Sequence, residues 1–495
     1  MEALTWTGSL SLLNTVVLWL SAAFALVVLA QIVLSFFAPE PTLRANPDGS
    51  VAARGGAYGA SERATRWLFL ALVALALVYL AAGAILPEGS GGIIGAVSRR
   101  LLPVWISLVV LFAVSMRFKR RLGLYGKLFD STIGMIGFAI VMFWVFTAIY
   151  ADLIVTRDVL TQVSQMKNKL PGTPLPDGSG WYLLGGDHLG RDVFSRMIAG
   201  SQIVIIIAPF ATVFAFMVGI TLGLPAGYYG GKLDTGLSFL ANLILAFPVI
   251  LFFYLLVTPE IVETGMPQYL AVVLFLFPIV FLMVLVNSRF YVTPGLRNQL
   301  IAAIAIVGGY FYLSFVGEAG TRVAILPPSL DLIHMPANML IVFVSVVFVN
   351  SPTVFRIVRG IVLDIKTRDY VAAGQTRGER PWYIMIWEIL PNARGPLIVD
   401  FCLRIGYTTI LLGTLGFFGL GLSPESPDWG STINAGRKLM TVAQHPAIVP
   451  AFKASASAAS STSPPRAVLM RIDVGFIIFS SLSPIMFSVS GVSGQ

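Results

Sequence analysis

Residues 356–392 read RIVRGIVLDIKTRDYVAAGQTRGERPWYIMIWEILPN, a polar run set between the apolar segments Met339–Val354 and Pro396–Leu420. Arg356, Arg359, Lys366, Arg368, Arg377 and Arg380 lie within it and Arg394 just beyond it. Loops so rich in Lys and Arg stay on the cytoplasmic side of a membrane, so the run is expected there. From Asp369 the pattern predicts a short helix. Asp369 is its expected cap, Tyr370, Ala373 and Arg377 share one face, and Gly378 stops it. A second short helix is expected over Trp382–Ile389, ending at Leu390-Pro391-Asn392. Two short cytoplasmic helices with a glycine between them suit docking into a groove of another protein.

Composition points the same way. The chain has 495 residues, 56% of them hydrophobic and 12% charged, with mean hydropathy +0.83. A soluble domain has about 45–50% apolar and about 25% charged residues, so a polytopic membrane protein is indicated. The net charge of +9 is assigned to cytoplasmic loops facing anionic lipid, not to nucleic acid. Cys402 is the single cysteine and sits in an apolar span, which excludes a disulfide framework. His188, His334 and His445 are far apart, so no metal site is expected. No phosphate loop, H-E-x-x-H or G-x-S-x-G occurs, and no catalytic residue or cofactor is expected.

At about 20 apolar residues per span, eleven spans are expected. Leu13–Phe37, Trp67–Leu86 and Leu101–Phe118 come first, and Leu13–Phe37 is too long for a cleavable signal core. Arg117, Lys119, Arg120, Arg121 and Lys127 mark the next loop as cytoplasmic, which places the N-terminus outside. Arg99 and Arg100 then fall outside, against the rule. Thr132–Leu153, Ile203–Gly223, Leu237–Val257, Tyr269–Val286, Leu300–Phe315, Met339–Val354 and Pro396–Leu420 follow. The last candidate, Val474–Val489, is short and broken by Pro484. It comes after the Ser/Ala/Pro stretch Lys453–Arg466, an abrupt shift that suggests an altered end.

Three further blocks stand out. Leu184–Gly200 reads LGGDHLGRDVFSRMIAG. Asp187 or Gly190 is expected to open a helix with Val193, Met197 and Ile198 on one apolar side, and Arg191, Asp192 and Arg196 at the wet surface. Such a helix would lie in the membrane interface and lead into the next span. Ala226–Asp234 reads AGYYGGKLD, a tight glycine reversal, and Pro248 is expected to kink the span after it. Phe418-Gly419-Leu420-Gly421, Pro424 and Trp429-Gly430 form the last block, with Trp429 as an interface anchor. Asp400 and Arg404, four apart in a span, are expected to pair.

These four blocks, in this order, resemble the C-type permease of dipeptide/oligopeptide ABC importers. Run 356–392 resembles its cytoplasmic coupling loop through Val358-Arg359-Gly360, Val362-Leu363, Lys366, Asp369-Tyr370-Val371, Ala373, Gly378 and Leu390-Pro391-Asn392. Ala372, Gly374, Arg377 and Glu388 depart from the family pattern, as do Phe239 and Asn242. The resemblance covers about 129–257 and 336–450. It implies a type I-like permease core, so that the chain is expected to be an all-α, polytopic transmembrane bundle of the roughly eleven spans counted from hydropathy, with extra N-terminal and inserted helices. The expected divisions are an accessory region 1–128, the core 129–450 with a two-span insertion at 258–335, and an atypical tail 451–495. The resemblance also implies residence in the bacterial inner membrane, a second permease subunit, two ATP-binding subunits and an extracytoplasmic substrate-binding protein. Membrane lipid is the remaining partner. The cargo implied is a peptide or peptide-like solute. The implied coupling residues are Asp369, Tyr370, Val371, Ala372, Ala373, Gly374, Arg377, Gly378, Leu390, Pro391 and Asn392. The implied extracytoplasmic motif is Asp187, Gly190, Arg191, Asp192, Ser195 and Arg196. The rivals are an ion-coupled secondary transporter, which needs ionisable residues within its spans, and a non-transport membrane assembly protein.

Overall fold

The structure, a computed structural model, describes residues 2–37, 56–86, 90–317, 337–420 and 425–439. Lys453–Arg466, Val474–Val489, His334, His445, Gly421 and Pro424, for which the sequence raises expectations, lie outside the described residues.

Eight helices among the described residues are long and apolar enough to cross a bilayer, and the number rises to ten if each of two bent pairs counts as one span. These ten coincide with the first ten expected spans. One bent pair, Gly92–Arg100 and Leu102–Arg117, turns by 61°. The other, Gly231–Ala246 and Val249–Val257, turns by 82°. Pro248 causes the second break. It has no N–H to donate and forces Phe247 into an extended conformation (φ −83, ψ 131). The described β structure is a single antiparallel ribbon, Thr173–Pro174 with Trp181–Tyr182.

Two helices form the axis of the bundle, Val193–Tyr229 and Ala337–Ile365. Gly219, Gly223 and Gly227, one per turn, lie against Val354, Val358 and Val362. A Cβ on these glycines would come within 2.5, 2.9 and 2.7 Å of the valines. With no lipophobic force to drive helices together in a bilayer, such close backbone approach supplies the packing. The helix Met266–Arg289 lies across both. Its Ala271, Leu274 and Phe275 are buried with Ile207, Ala211, Phe343 and Val347.

The Val193–Tyr229 helix has 37 residues, about 55 Å at ~1.5 Å per residue, against a hydrocarbon core of about 30 Å. The helix is therefore longer than the hydrocarbon core is thick. Segment 155–192 caps the N-terminal end of that helix. Leu4 N–H donates to the Gly172 carbonyl (2.8 Å) and Trp181 Nε1 to the Glu2 carbonyl (2.9 Å), so the chain's first residues sit at the same end. Ser11–Phe37 and Gly56–Ile85 pack on each other and leave most of their surface exposed, as lipid-facing spans do.

One expectation fails in the coupling run. The second helix does not end at Leu390-Pro391-Asn392. Residues Pro381–Phe418 form one 38-residue helix. It widens to π-helical turns over Ile384–Ile389. In regular α geometry the Pro391 ring would crowd the Trp387 carbonyl, and the widened turn ahead of it relieves that clash without breaking the helix.

Candidate functional site

The helix Asp369–Thr376 stands where the sequence places it. Asp369 lies in its first turn, and Arg368 rather than Asp369 occupies the cap position, with no side-chain cap. Gly378 ends it at φ +76, and Glu379 N–H returns to the Gly374 carbonyl (3.2 Å), a glycine stop. Its two faces differ. Val371 and Gly374 are buried. Val371 joins Val358, Val362, Ile365, Ile384, Met385 and Ile389 in one apolar cluster. Gly374 lies close enough for an added Cβ to touch Ile384 at 3.6 Å. The opposite face presents Asp369, Tyr370, Ala372, Ala373, Gln375, Thr376 and Arg377 to solvent. A groove of about 530 Å3 opens beside it, lined in part by Asp364, Arg368, Tyr370 and Asn392. Leu390 is half-buried against the cluster, and Pro391 and Asn392 are exposed.

This helix is tied to the axis of the bundle. Lys366 Nζ donates to the Gly227 carbonyl (3.0 Å) and Gln375 to Tyr228 Oη (3.2 Å). Arg359 makes a two-pronged ion pair with Asp234. Arg356 donates to Asn242 Oδ1 (2.9 Å), so the Asn242 departure still finds a cationic partner. Two other departures also meet, because Arg377 pairs with Glu388 at 2.7 Å. Neither contact was visible from spacing alone, since 11 residues and a helix break separate Arg377 from Glu388.

The block Leu184–Gly200 departs from expectation. Arg191, Asp192 and Arg196 are not at a wet surface; with Asp187 and Ser195 they are almost wholly buried. The helix begins at Val193 and continues unbroken through the span, so no separate interfacial helix forms. Burial is tolerated because each charge has fixed partners. Asp187 accepts from the Leu189 and Arg191 N–H groups (2.9 and 2.8 Å) and pairs with Arg191 Nε at 2.7 Å. Asp192 caps the long helix, accepting from Phe194 and Ser195 N–H (3.2 Å each), Ser195 Oγ and Thr156 Oγ1 (2.6 Å each). Burial nonetheless pushes its carboxyl above the usual carboxylate range. Tyr182 Oη donates to the Gly190 carbonyl (3.1 Å), and burial raises its phenol to about 12. Gly190, at φ +81, leaves no room for a Cβ beside the Val163 carbonyl.

Arg196 crosses to a distant part of the chain. It donates to the Glu425 and Ser426 carbonyls (3.1 and 2.6 Å). Trp429 Nε1 donates to the Met197 carbonyl (2.9 Å), and its ring meets Trp144 edge-on at 4.9 Å. Trp429 thus docks on the long helix at Gly200 rather than only marking an interface. Asp428, buried beside it, is pushed up by desolvation. Within the membrane, Asp400 and Arg404 pair at 2.7 Å as expected, and Arg404 also reaches Asn350. No group of three or more potential metal ligands occurs among the described residues.

Comparison with known proteins gives these sites a context. Residues 219–461 match the family described as binding-protein-dependent transport system inner membrane component. A glutathione transport system permease protein of Pectobacterium atrosepticum is 28% identical over 277 residues, 56% of this chain and 66% of the relative. Dipeptide transport system permease proteins of Alkalihalophilus pseudofirmus and Haemophilus influenzae are 26% and 27% identical, covering 66% and 64% of this chain and 81% of each relative. The chain therefore spans just under two thirds of the first relative's length.

Proposed function

We propose that this chain, whose residues 219–461 match the binding-protein-dependent transport system inner membrane components, is the permease subunit of an ATP-driven importer of peptides or peptide-like solutes. It is a multi-pass protein of the bacterial inner membrane. Its system includes an ATPase and a substrate-binding protein. The finer composition proposed is one second permease subunit, two ATP-binding subunits and one extracytoplasmic binding protein. The peptide class rests on the dipeptide and glutathione transport named for its relatives.

The observation that carries the reading is the two-faced helix Asp369–Thr376. Its inner face is locked to the bundle axis and its outer face is open. A subunit gripping Tyr370, Ala372 and Ala373 would pull on Val371, and through it on the Ala337–Ile365 helix. The glycine ladder then carries that displacement to the Val193–Tyr229 helix. Rigid elements in a packed bundle move as bodies, so docking here converts to a tilt of spans. At the far end, Asp187, Gly190, Arg191, Asp192, Ser195 and Arg196 hold the start of that same long helix to segment 155–192 and to residues 425–431. We assign them to fixing the outer gate, where a binding protein would deliver its cargo. No covalent chemistry is asked of the chain; ATP hydrolysis belongs to its partners.

The test is a pull-down from native membranes in mild detergent, with bound proteins identified by mass. A nucleotide-binding subunit and a second permease are expected. Recovery of the chain alone, with ATP-independent uptake in cells, would overturn the reading in favour of an ion-coupled transporter.

A further inference from the structure

The helical hairpin Met266–Arg289 and Pro294–Gly317 has no part in the mechanism above, yet it touches both the bundle axis and the region of helix Asp369–Thr376. Its outer half packs into the bundle axis. Phe275 meets Phe214 of the long helix at 5.3 Å and Phe343 of the Ala337–Ile365 helix at 5.7 Å. Its cytoplasmic end reaches the docking region at two separate points. Trp387 Nε1 donates to Ser288 Oγ (3.0 Å), which donates in turn to the Leu285 carbonyl (2.8 Å). The Arg289 guanidinium lies 5.0 Å from the centre of the same Trp387 ring. Beyond the helix end, Tyr291 receives Arg380, whose guanidinium carbon lies 3.6 Å from the ring centre and which also donates to Tyr291 Oη. Val284 and Leu285 pack against the apolar cluster that holds Val371 and Ile384.

These contacts have a direction. Arg380 lies just ahead of the wide turns Ile384–Ile389, the irregular stretch of the long C-terminal helix, and Trp387 lies within them. Irregular turns are where a helix yields when pulled. Planar guanidinium–ring contacts resist sliding, because attraction falls off as the cation leaves the ring face.

We propose that the hairpin 266–317 braces the docking region, and that Ser288, Arg289 and Tyr291 are positioning residues that make it and the segment Arg380–Trp387 move as one body. The hairpin gives docking motion a second route to the bundle axis, parallel to the glycine ladder. This rests on the coupling role assigned to helix Asp369–Thr376.

The test uses the complete transporter in lipid vesicles, with two readouts: recovery of the ATP-binding subunit on this chain, and stimulation of ATP hydrolysis by the binding protein. Tyr291→Ala is expected to leave recovery unchanged and to cut stimulation at least fivefold. Tyr291→Phe, which keeps the ring under Arg380, is expected to restore it to within twofold of the unaltered protein. In a Cys402→Ala background, Tyr291→Cys with Arg380→Cys is expected to be defective until a short bis-maleimide joins the two thiols, and then to recover. Full stimulation in Tyr291→Ala, or loss of activity on bridging, would overturn the brace. Ala373→Glu separates this from failure of the coupling reading. If that variant still binds the ATP-binding subunit and is stimulated normally, the docking assignment falls, whatever Tyr291 does.

Discussion

The two polar blocks at opposite ends of the long helix use the same residue types in opposite ways. Around 187–196, Asp and Arg side chains are sealed away and every carboxylate is met by fixed donors. Around 369–378, Asp369, Arg377 and their neighbours face solvent while only Val371 and Gly374 turn inward. Charge content therefore says little about exposure; partner geometry decides it. The sealed block is a joint that holds shape, and the open block is the surface proposed to meet a partner. Damage to the first should cost stability, and damage to the second should cost function alone.

The largest effect is expected at Arg196. Its hydrogen bonds to the Glu425 and Ser426 carbonyls join two segments about 230 residues apart. Hydrogen bonds from a charged donor contribute roughly 1.5–3 kcal/mol each, and truncation leaves buried acceptors unmet. Arg196→Ala is expected to lower stability by about 3 kcal/mol, read as a fall in the thermal midpoint in detergent and in membrane yield. An unchanged midpoint would mean the block is not a structural joint.

Gly223→Leu comes next. A side chain there must displace Val358 Cβ, which lies 2.9 Å from the position of an added Cβ. Overpacking of this kind costs about 1–3 kcal/mol. Both stability and uptake should fall, because the ladder is shared by fold and mechanism.

Ala373→Glu sharpens the contrast from the other side. Ala373 is exposed and its substitution touches no buried group. Stability should stay within about 0.5 kcal/mol, as for ordinary surface changes. Recovery of the ATP-binding subunit and uptake should nevertheless fall at least tenfold, about 1.4 kcal/mol of coupling. Equal recovery with the altered chain would remove the docking face from the mechanism.

The contrast explains what could be read in advance. Hydropathy alone located ten spans, since a helix in lipid must be apolar over its whole length. The stop at Gly378, the kink at Pro248 and the Asp400–Arg404 pair followed from local rules that burial does not alter. The sealed block was misread because Arg191, Asp192 and Arg196 are polar, and the partners of Asp192 and Arg196 at Thr156, Glu425 and Ser426 lie 36 or more residues away. The glycine ladder went unnoticed although Gly219, Gly223 and Gly227 recur every fourth residue in an apolar span. That spacing is a readable sign of close helix packing. The widened turns over Ile384–Ile389 could not be read, because Pro391 permits either a helix end or a distortion.

The smallest effect concerns Arg377 and Glu388, two departures from the family pattern that the fold brings to 2.7 Å. Arg377 is more than half exposed and Glu388 about a quarter. A pair so open to water contributes roughly 0.2–1 kcal/mol, and salt weakens it further. Its value lies in orientation, since it ties the end of the docking helix to the wide turns. Arg377→Glu alone sets two carboxylates together and should loosen that tie, whereas adding Glu388→Arg should restore it. Neither change should move the thermal midpoint by more than about 2 °C. Uptake at low salt should fall about two- to threefold in the single variant and recover in the double one. If the double variant is no better than the single, the two residues serve separate contacts, and the helix Asp369–Thr376 is held in place by the burial of Val371 and Gly374 and by the Gln375–Tyr228 hydrogen bond.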